Sequence, residues 1–141
     1  MRTGTLGTRF VVMATTALLV CAGSQPRAQA ADGTWIQTGA GPFDWGIAGN
    51  WSGSTIADGA DFTAFFTPNI TAAQTVNLAA PQTIGNITFT DSTTSSNDLT
   101  ISGANILTLD RTDATKPTIN VTQAGRILII DSVIAGSDGL Q

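Results

Sequence analysis

The sequence contains no histidine, no tyrosine and no glutamate, and its only cysteine is Cys21. Without histidine, the chain lacks the side chain that most often activates a serine or cysteine nucleophile. A single cysteine also excludes an internal disulfide, although small exported domains often depend on one. We expect a non-enzymatic chain without catalytic residues or a cofactor, stabilised by packing or by repetition.

Basic residues are almost as rare. All ten acidic residues are aspartates that follow residue 30, and only Arg111, Lys116 and Arg126 oppose them there. The net charge after residue 30 is therefore −7 (3 − 10). Nucleic acids and anionic membrane surfaces both select basic patches, so we expect neither as a partner.

Residues 1–30 have the three parts of a secretory signal peptide. Arg2 and Arg9 are followed by an apolar run, Phe10–Gly23, and then by Ala28-Gln29-Ala30, the small-x-small pattern of a cleavage site. The apolar run is shorter than the roughly 20 residues that a membrane-spanning helix needs. The pattern predicts export to the extracellular space or the outer cell surface, with residues 1–30 removed.

Residues 31–74 are rich in glycine and aromatic residues. All three tryptophans, Trp35, Trp45 and Trp51, lie in this segment. In a stack of repeats the terminal unit must cover the open core, so it is usually atypical. We interpret the segment as an N-terminal cap. The alternative function is a small carbohydrate-binding β-domain, in which the three indoles form a platform for sugar rings.

Residues 75–141 alternate between apolar and polar residues in short runs, and few strong helix formers interrupt them. This period of two is typical of half-buried strands and indicates an all-β chain. The apolar run Ile127–Ile130 is instead expected to be buried on both faces. The positions expected to face inward are Val76, Leu78, Ile87, Phe89, Leu99, Ile101, Leu107, Leu109, Ile119 and Val121.

Two architectures fit these strands. Ile87, Leu107 and Ile127 are equally spaced along the chain, which favours a right-handed parallel β-helix (solenoid) whose degenerate repeats stack on one another. Short strands at similar spacing also occur in an antiparallel β-sandwich, which is the alternative fold.

Several stretches resemble the beginning of bacterial autotransporter-associated β-strand repeat proteins. They are WGIAGNWSGSTIADGADFTAFF (45–66), TIGNITFTD (83–91), LTISGANILTLD (99–110), PTINV (117–121) and IAGSDGLQ (134–141). The resemblance implies the N-terminal part of a passenger-type β-helix, acting as a structural stalk or an adhesin that contacts an extracellular glycan or a cell surface. It also implies that Leu140 begins a further repeat and that residue 141 interrupts the series. We expect the last repeat to self-associate, because its strand edge is unpaired.

Aspartates provide the only candidate polar sites. Asp58 and Asp61 could bind Ca²⁺ through their carboxylates, but their spacing matches no calcium-loop motif, and a turn-capping role is the simpler interpretation. The pairs Asp91/Asp98 and Asp110/Asp113 could similarly suggest cleavage of a glycosidic bond. With three basic residues and no histidine near them, we interpret these carboxylates as turn caps as well.

Asparagine is the other recurrent polar residue. Asn50, Asn69, Asn86 and Asn120 each begin a possible N-glycosylation triplet. In a strand-rich chain such triplets also arise from composition. We expect these side chains to occupy left-handed corners or to form ladders between stacked repeats.

Overall fold

The computed structural model describes residues 29–90, 97–122 and 125–141. The segment up to residue 28, which holds most of the predicted signal peptide, and Asp91 lie outside these ranges. The described part consists of ten strands and two single-turn 3₁₀ helices, Ala48–Asn50 and Ser52–Ser54. The strands are β1 (Gly33–Thr34), β2 (Phe43–Asp44), β3 (Gly59–Phe66), β4 (Gln74–Asn77), β5 (Gln82–Phe89), β6 (Leu99–Ser102), β7 (Leu107–Leu109), β8 (Thr118–Val121), β9 (Leu128–Asp131) and β10 (Ile134–Ala135).

Successive strands alternate between two parallel sheets, except that β7 and β8 both belong to the same one. Sheet A has the order β1-β3-β5-β7-β10, with β8 also paired to β5, and sheet B has the order β2-β4-β6-β9. One strand from each sheet therefore makes one coil: β1–β2, β3–β4, β5–β6, and β7/β8–β9, while β10 continues onto the next level. All pairs between these strands are parallel. The expected β-solenoid is confirmed, and the antiparallel sandwich is excluded.

The coils are not equally spaced along the chain. In sheet B, Phe43 pairs with Val76, Val76 with Ile101 and Ile101 with Ile130, so the interval between stacked residues is 33, then 25, then 29 positions. In sheet A, Ile87 pairs with Ile119 rather than with Leu107. The predicted period is wrong because the corners differ in length, and the fourth coil has an inserted loop, residues 110–117, between β7 and β8.

The core lies between the two sheets and is built from the inward side chains of each strand. Apolar residues at matching positions of neighbouring coils, such as Val76 and Ile101, stack into continuous columns inside the core. The first eight predicted inward positions, from Val76 to Leu109, are all buried. Ile119 is only half-buried, and Val121 is 41% exposed. Both belong to β8, which in the described chain has a paired neighbour on one side only.

The Ile127–Ile130 run behaves as an alternating strand and not as a strand buried on both faces. Ile127 and Ile129 are 58% and 44% exposed, while Leu128 and Ile130 are partly buried against the core. The prediction is wrong because no described residue covers the outer face of sheet B at this strand. Leu140 is also largely exposed, and it lines a shallow hollow with Leu109 and Ile134.

Among the described residues, helix is confined to the two 3₁₀ turns. Within the same ranges, no helix has the length and apolarity that crossing a bilayer would require.

The contrast between inner and outer aliphatic residues can be tested in sheet B. Ile101→Ala should lower the free energy of unfolding by about 2–5 kcal/mol, because it removes a fully buried side chain from between two coils. The matched change Ile129→Ala, on the exposed face of the next strand, should cost less than about 1 kcal/mol. Urea unfolding followed by tryptophan fluorescence measures both. Equal losses would contradict the assigned register.

Candidate functional site

The tryptophans fill the interior of the first coil. Trp35 follows β1, Trp45 follows β2 and Trp51 lies between the two 3₁₀ turns, and each is at most 1% exposed. The ring centroids of Trp35 and Trp51 are 4.9 Å apart, and those of Trp45 and Trp51 are 5.1 Å apart, both edge-on. Phe66 of β3 packs against all three rings. Edge-on contact aligns the positive ring edge with the negative face of its neighbour, which favours this arrangement.

Every indole N–H in this cluster has a buried acceptor. Trp45 donates to the carbonyl of Ala57 at 2.9 Å, and Trp51 donates to the carbonyl of Trp45 at 2.6 Å. Trp35 donates to Oε1 of Gln74 in the second coil at 2.7 Å. Burying an indole without such a partner would be costly, so these bonds make an aromatic interior possible in so small a coil.

Gln74 links the first two coils. Its side chain is 1% exposed and occupies an inward position of β4. Beyond accepting from Trp35, it uses its amide nitrogen to donate to the carbonyls of Gln37 and Gly39, at 3.1 and 2.6 Å. A buried amide with these partners is well satisfied. It also holds the corner between β1 and β2 against the core.

The aromatic segment also closes the end of the solenoid. Ala31 and Asp58 exchange backbone hydrogen bonds, and the N–H of Ile36 donates to the carbonyl of Asn50 at 3.0 Å. The chain between residues 50 and 58 therefore runs along the outer edge of β1. Position 33 must be glycine for this segment to pack against β1, because a Cβ there would lie 2.4 Å from the backbone nitrogen of Ala57. The predicted aromatic cap is present, and it forms a complete coil rather than a separate lid.

This burial bears on the alternative role of Trp35, Trp45 and Trp51. A sugar-stacking platform needs an exposed ring face. In the folded chain none of the three offers one, so the geometry favours the cap interpretation.

Asp61 holds a loop that lies two coils away. A β-bulge between Gly59 and Thr63 places Asp61 in the left-handed region, at φ +74°. Its carboxylate accepts hydrogen bonds from the backbone N–H of Thr112 at 2.8 Å and from the Thr112 hydroxyl. The backbone N–H of Asp61 in turn donates to the carbonyl of Asp110 at 3.2 Å. The 110–117 loop is therefore fastened to β3, across β5.

Gly85 makes this approach possible. It lies on β5 beneath the bulge, where an added Cβ would come within 2.7 Å of the Asp61 backbone. The same end of the loop is also bonded to the corner after β10, since the N–H of Arg111 donates to Asp138 at 3.1 Å and the hydroxyl of Ser137 donates to Asp110 at 3.2 Å.

Within the loop, Arg111 and Asp113 form a two-point ion pair. Nη2 and Nε of Arg111 donate to the two carboxylate oxygens of Asp113 at 2.7 and 3.0 Å. Asp113 also accepts from the N–H and hydroxyl of Thr115. The Arg111 guanidinium and then Thr115 hold the pKa of Asp113 well below its usual range, and Asp113 raises the pKa of Arg111. Hydrogen bonds from Thr112 lower the pKa of Asp61.

Four of the candidate carboxylates therefore hydrogen-bond to groups of nearby strands, corners and loops. Asp98 accepts from the backbone N–H of Ile127 at 3.0 Å, and Asp61, Asp110 and Asp113 have the partners described above. Asp58 contributes its backbone to the edge of β1. In the described residues, His, Cys, Asp and Glu side chains form no group of three or more that could hold a metal ion.

Asn86 forms one of the expected ladders on the outer face of sheet A. Its Oδ1 accepts from the N–H and hydroxyl of Thr118 at 3.1 and 2.9 Å, and its Nδ2 donates to Thr63 at 3.4 Å. The ladder interpretation is confirmed here. The left-handed interpretation is wrong for the asparagines of the described ranges, where the only non-glycine residues at positive φ are Ser54 and Asp61.

The roles of Gln74, Gly85 and Thr112 were not predicted from the sequence. Gln74 did carry a signal, since it shares the inward period of Val76 and Leu78 and is therefore a polar residue at a core position. Thr112 carried none, because its partner Asp61 is 51 residues away.

The carboxylates make the loop sensitive to acid. The pKa values of Asp61 and Asp113 lie below the ordinary 3.8 in the folded chain. Their stabilising contribution is therefore complete above about pH 4 and is lost as the pH falls through the lowered values. Asp61→Asn keeps an oxygen for the Thr112 N–H and tolerates the left-handed backbone, but it cannot titrate. Urea unfolding between pH 3 and 7 should show a shallower acid loss in this variant. Parallel curves would contradict the assigned bonds.

Comparison with known proteins does not place the chain in a family. No protein-family model matches it, and neither a curated protein nor a solved structure matches it.

Proposed function

We propose that the chain is an exported, non-enzymatic β-solenoid segment that serves as a structural stalk or an adhesin-like passenger on a bacterial cell surface. The observation that carries the proposal is the uninterrupted parallel stack, closed at its N-terminal end by an aromatic coil. Each coil adds hydrogen bonds to the previous one and extends the same core, which is a means of building a stiff elongated support.

The polar residues support the same function. The carboxylates that could have taken part in chemistry, Asp61, Asp110 and Asp113, are each hydrogen-bonded to loop or corner groups. Outward threonines and asparagines, such as Thr63, Asn86 and Thr118, bond along the stack. A surface of this kind keeps a parallel stack hydrated.

The carbohydrate-binding alternative has less support. It depended on Trp35, Trp45 and Trp51, whose rings are buried and whose N–H groups already have partners. A glycan remains a reasonable ligand for the outer face of a passenger, but not through these three residues.

Export can be tested with the full chain in a bacterial host. The secreted product should begin at Ala31, and protease added to intact cells should remove any surface-held copy. Ala30→Leu should block processing, because the residue before the cleavage site must be small. Ala31→Leu is the matched control just after the site and should leave processing intact. N-terminal sequencing and cell fractionation measure the outcome. An unprocessed wild-type chain retained in the cytoplasm would contradict the proposal.

A further inference from the structure

The bond at which the predicted signal peptide would be removed belongs to the folded first coil. The N–H of Ala31 contains the nitrogen of the Ala30–Ala31 bond, and it donates to the carbonyl of Asp58 at 2.9 Å. The N–H of Asp58 donates back to the carbonyl of Ala31 at 3.1 Å, so the two residues form an antiparallel bridge. The backbone at the predicted cleavage point is therefore already paired within the chain.

The residues on either side of Ala31 are held as well. Ala30 lies against Gly59, where an added Cβ would come within 2.7 Å of the Ala30 Cβ. Gly59 has a φ of +100°, a conformation that glycine adopts without strain. After the bond, Oδ1 of Asp32 accepts a hydrogen bond from the N–H of Thr63 at 2.6 Å. Three consecutive residues, 30–32, are therefore fixed to β3 and to the residue before it.

Cutting this bond requires the segment to open. Proteolysis of a folded chain proceeds through transient opening of the part that is cut. Here the opening must break both bonds of the Ala31–Asp58 bridge and lift Ala30 from Gly59, so that its small side chain can enter the peptidase. Because Asp58 ends the 50–58 segment that runs along β1, the same opening disturbs the closure of the first coil.

We propose that closure of the first coil protects the Ala30–Ala31 bond, so that the signal peptide is removed only from chains whose first coil has not yet folded. Hydrolysis adds one water molecule across the bond and leaves a carboxylate on Ala30 and an ammonium group on Ala31. That ammonium group still donates to the Asp58 carbonyl, so the coil closes in the processed chain. A precursor that folds before export keeps its signal peptide. This inference rests on the proposed export and adds the order of its steps.

Cleavage of the purified full chain by a bacterial signal peptidase, in nonionic detergent, tests this order. A synthetic peptide of residues 1–40 carries the same site but lacks Asp58 and Gly59, so it cannot form the bridge. The folded full chain should be cut at Ala30 at least about tenfold more slowly than the peptide, because the reaction is limited by opening of the segment. N-terminal sequencing identifies the product, and the initial rates are compared.

Two glycine variants, each made in the full chain and in the peptide or full chain that contains it, separate closure from other effects. Gly33→Ala should make the full chain nearly as susceptible as its peptide, because a Cβ there would lie 2.4 Å from the Ala57 nitrogen and hold the 50–58 segment away from β1. Gly46→Ala, in the same coil, places its Cβ in open space and should leave the full chain as resistant as wild type. Amide protection in β4 and β5 shows that each full chain is otherwise folded.

Hydrogen exchange of the Ala31 amide is a second measurement that needs no peptidase. In the wild-type full chain this amide should be protected together with that of Asp58, and exchange at the rate of an unfolded chain would overturn the proposal. Equal cleavage of the full chain and the peptide would also overturn it, while leaving export intact. If neither is cut at Ala30, the proposed export fails and this inference fails with it. Equal susceptibility of the Gly33→Ala and Gly46→Ala chains would contradict the role assigned to closure.

Discussion

Burial of three indoles with their N–H groups satisfied is the constraint on which the rest of this fold depends. A solenoid exposes the core of its first coil unless something fills and covers it. Here Trp35, Trp45 and Trp51 fill that coil, and Phe66 joins them from the second. The aromatic rings supply apolar area that the two-residue strands β1 and β2 could not supply. Because Trp35 donates to Gln74, the cap is also hydrogen-bonded to the first regular coil.

Beyond the cap, the stack is held by two kinds of contact between coils. Columns of aliphatic residues run inside, and polar bonds run outside, where Asn86 joins neighbouring strands and Asp61 joins β3 to a loop of the fourth coil. The second bond passes over β5 and requires Gly85 to make room. The inserted 110–117 loop is therefore a fastened part of the fold, although its insertion disrupts the spacing of the repeats.

Part of this could be predicted from the sequence because it depends on local periodicity. Alternation identified the inward residues from Val76 to Leu109, and the glycine- and tryptophan-rich segment indicated a cap. Periodicity could not supply the spacing of the coils, which depends on corner lengths, so Ile87 was aligned with Leu107 and not with Ile119. Periodicity also could not show that the outer face of β9 is exposed. A continuous apolar run such as Ile127–Ile130 has the same sequence pattern whether one face of the strand is covered or both.

For the site residues, too, local sequence features could be predicted and long-range contacts could not. The tryptophans could be assigned to the cap because all three lie in one glycine-rich segment. Their hydrogen-bond partners could not be predicted. Gln74 meets Trp35 across 39 residues, and Thr112 meets Asp61 across 51. Such contacts are determined by which strands become neighbours, and a single sequence carries that information only through weak repeats. The polar residues that join the coils are for this reason the least predictable part of the structure.

Amide and indole hydrogen exchange followed by NMR tests the central claim most directly. If the buried cluster closes the stack, the indole N–H groups of Trp35, Trp45 and Trp51 should exchange only through global unfolding, with the same free energy as the most protected amides of β4 and β5. Indole protons that exchange within minutes while β4 and β5 stay protected would contradict this structure of the first coil.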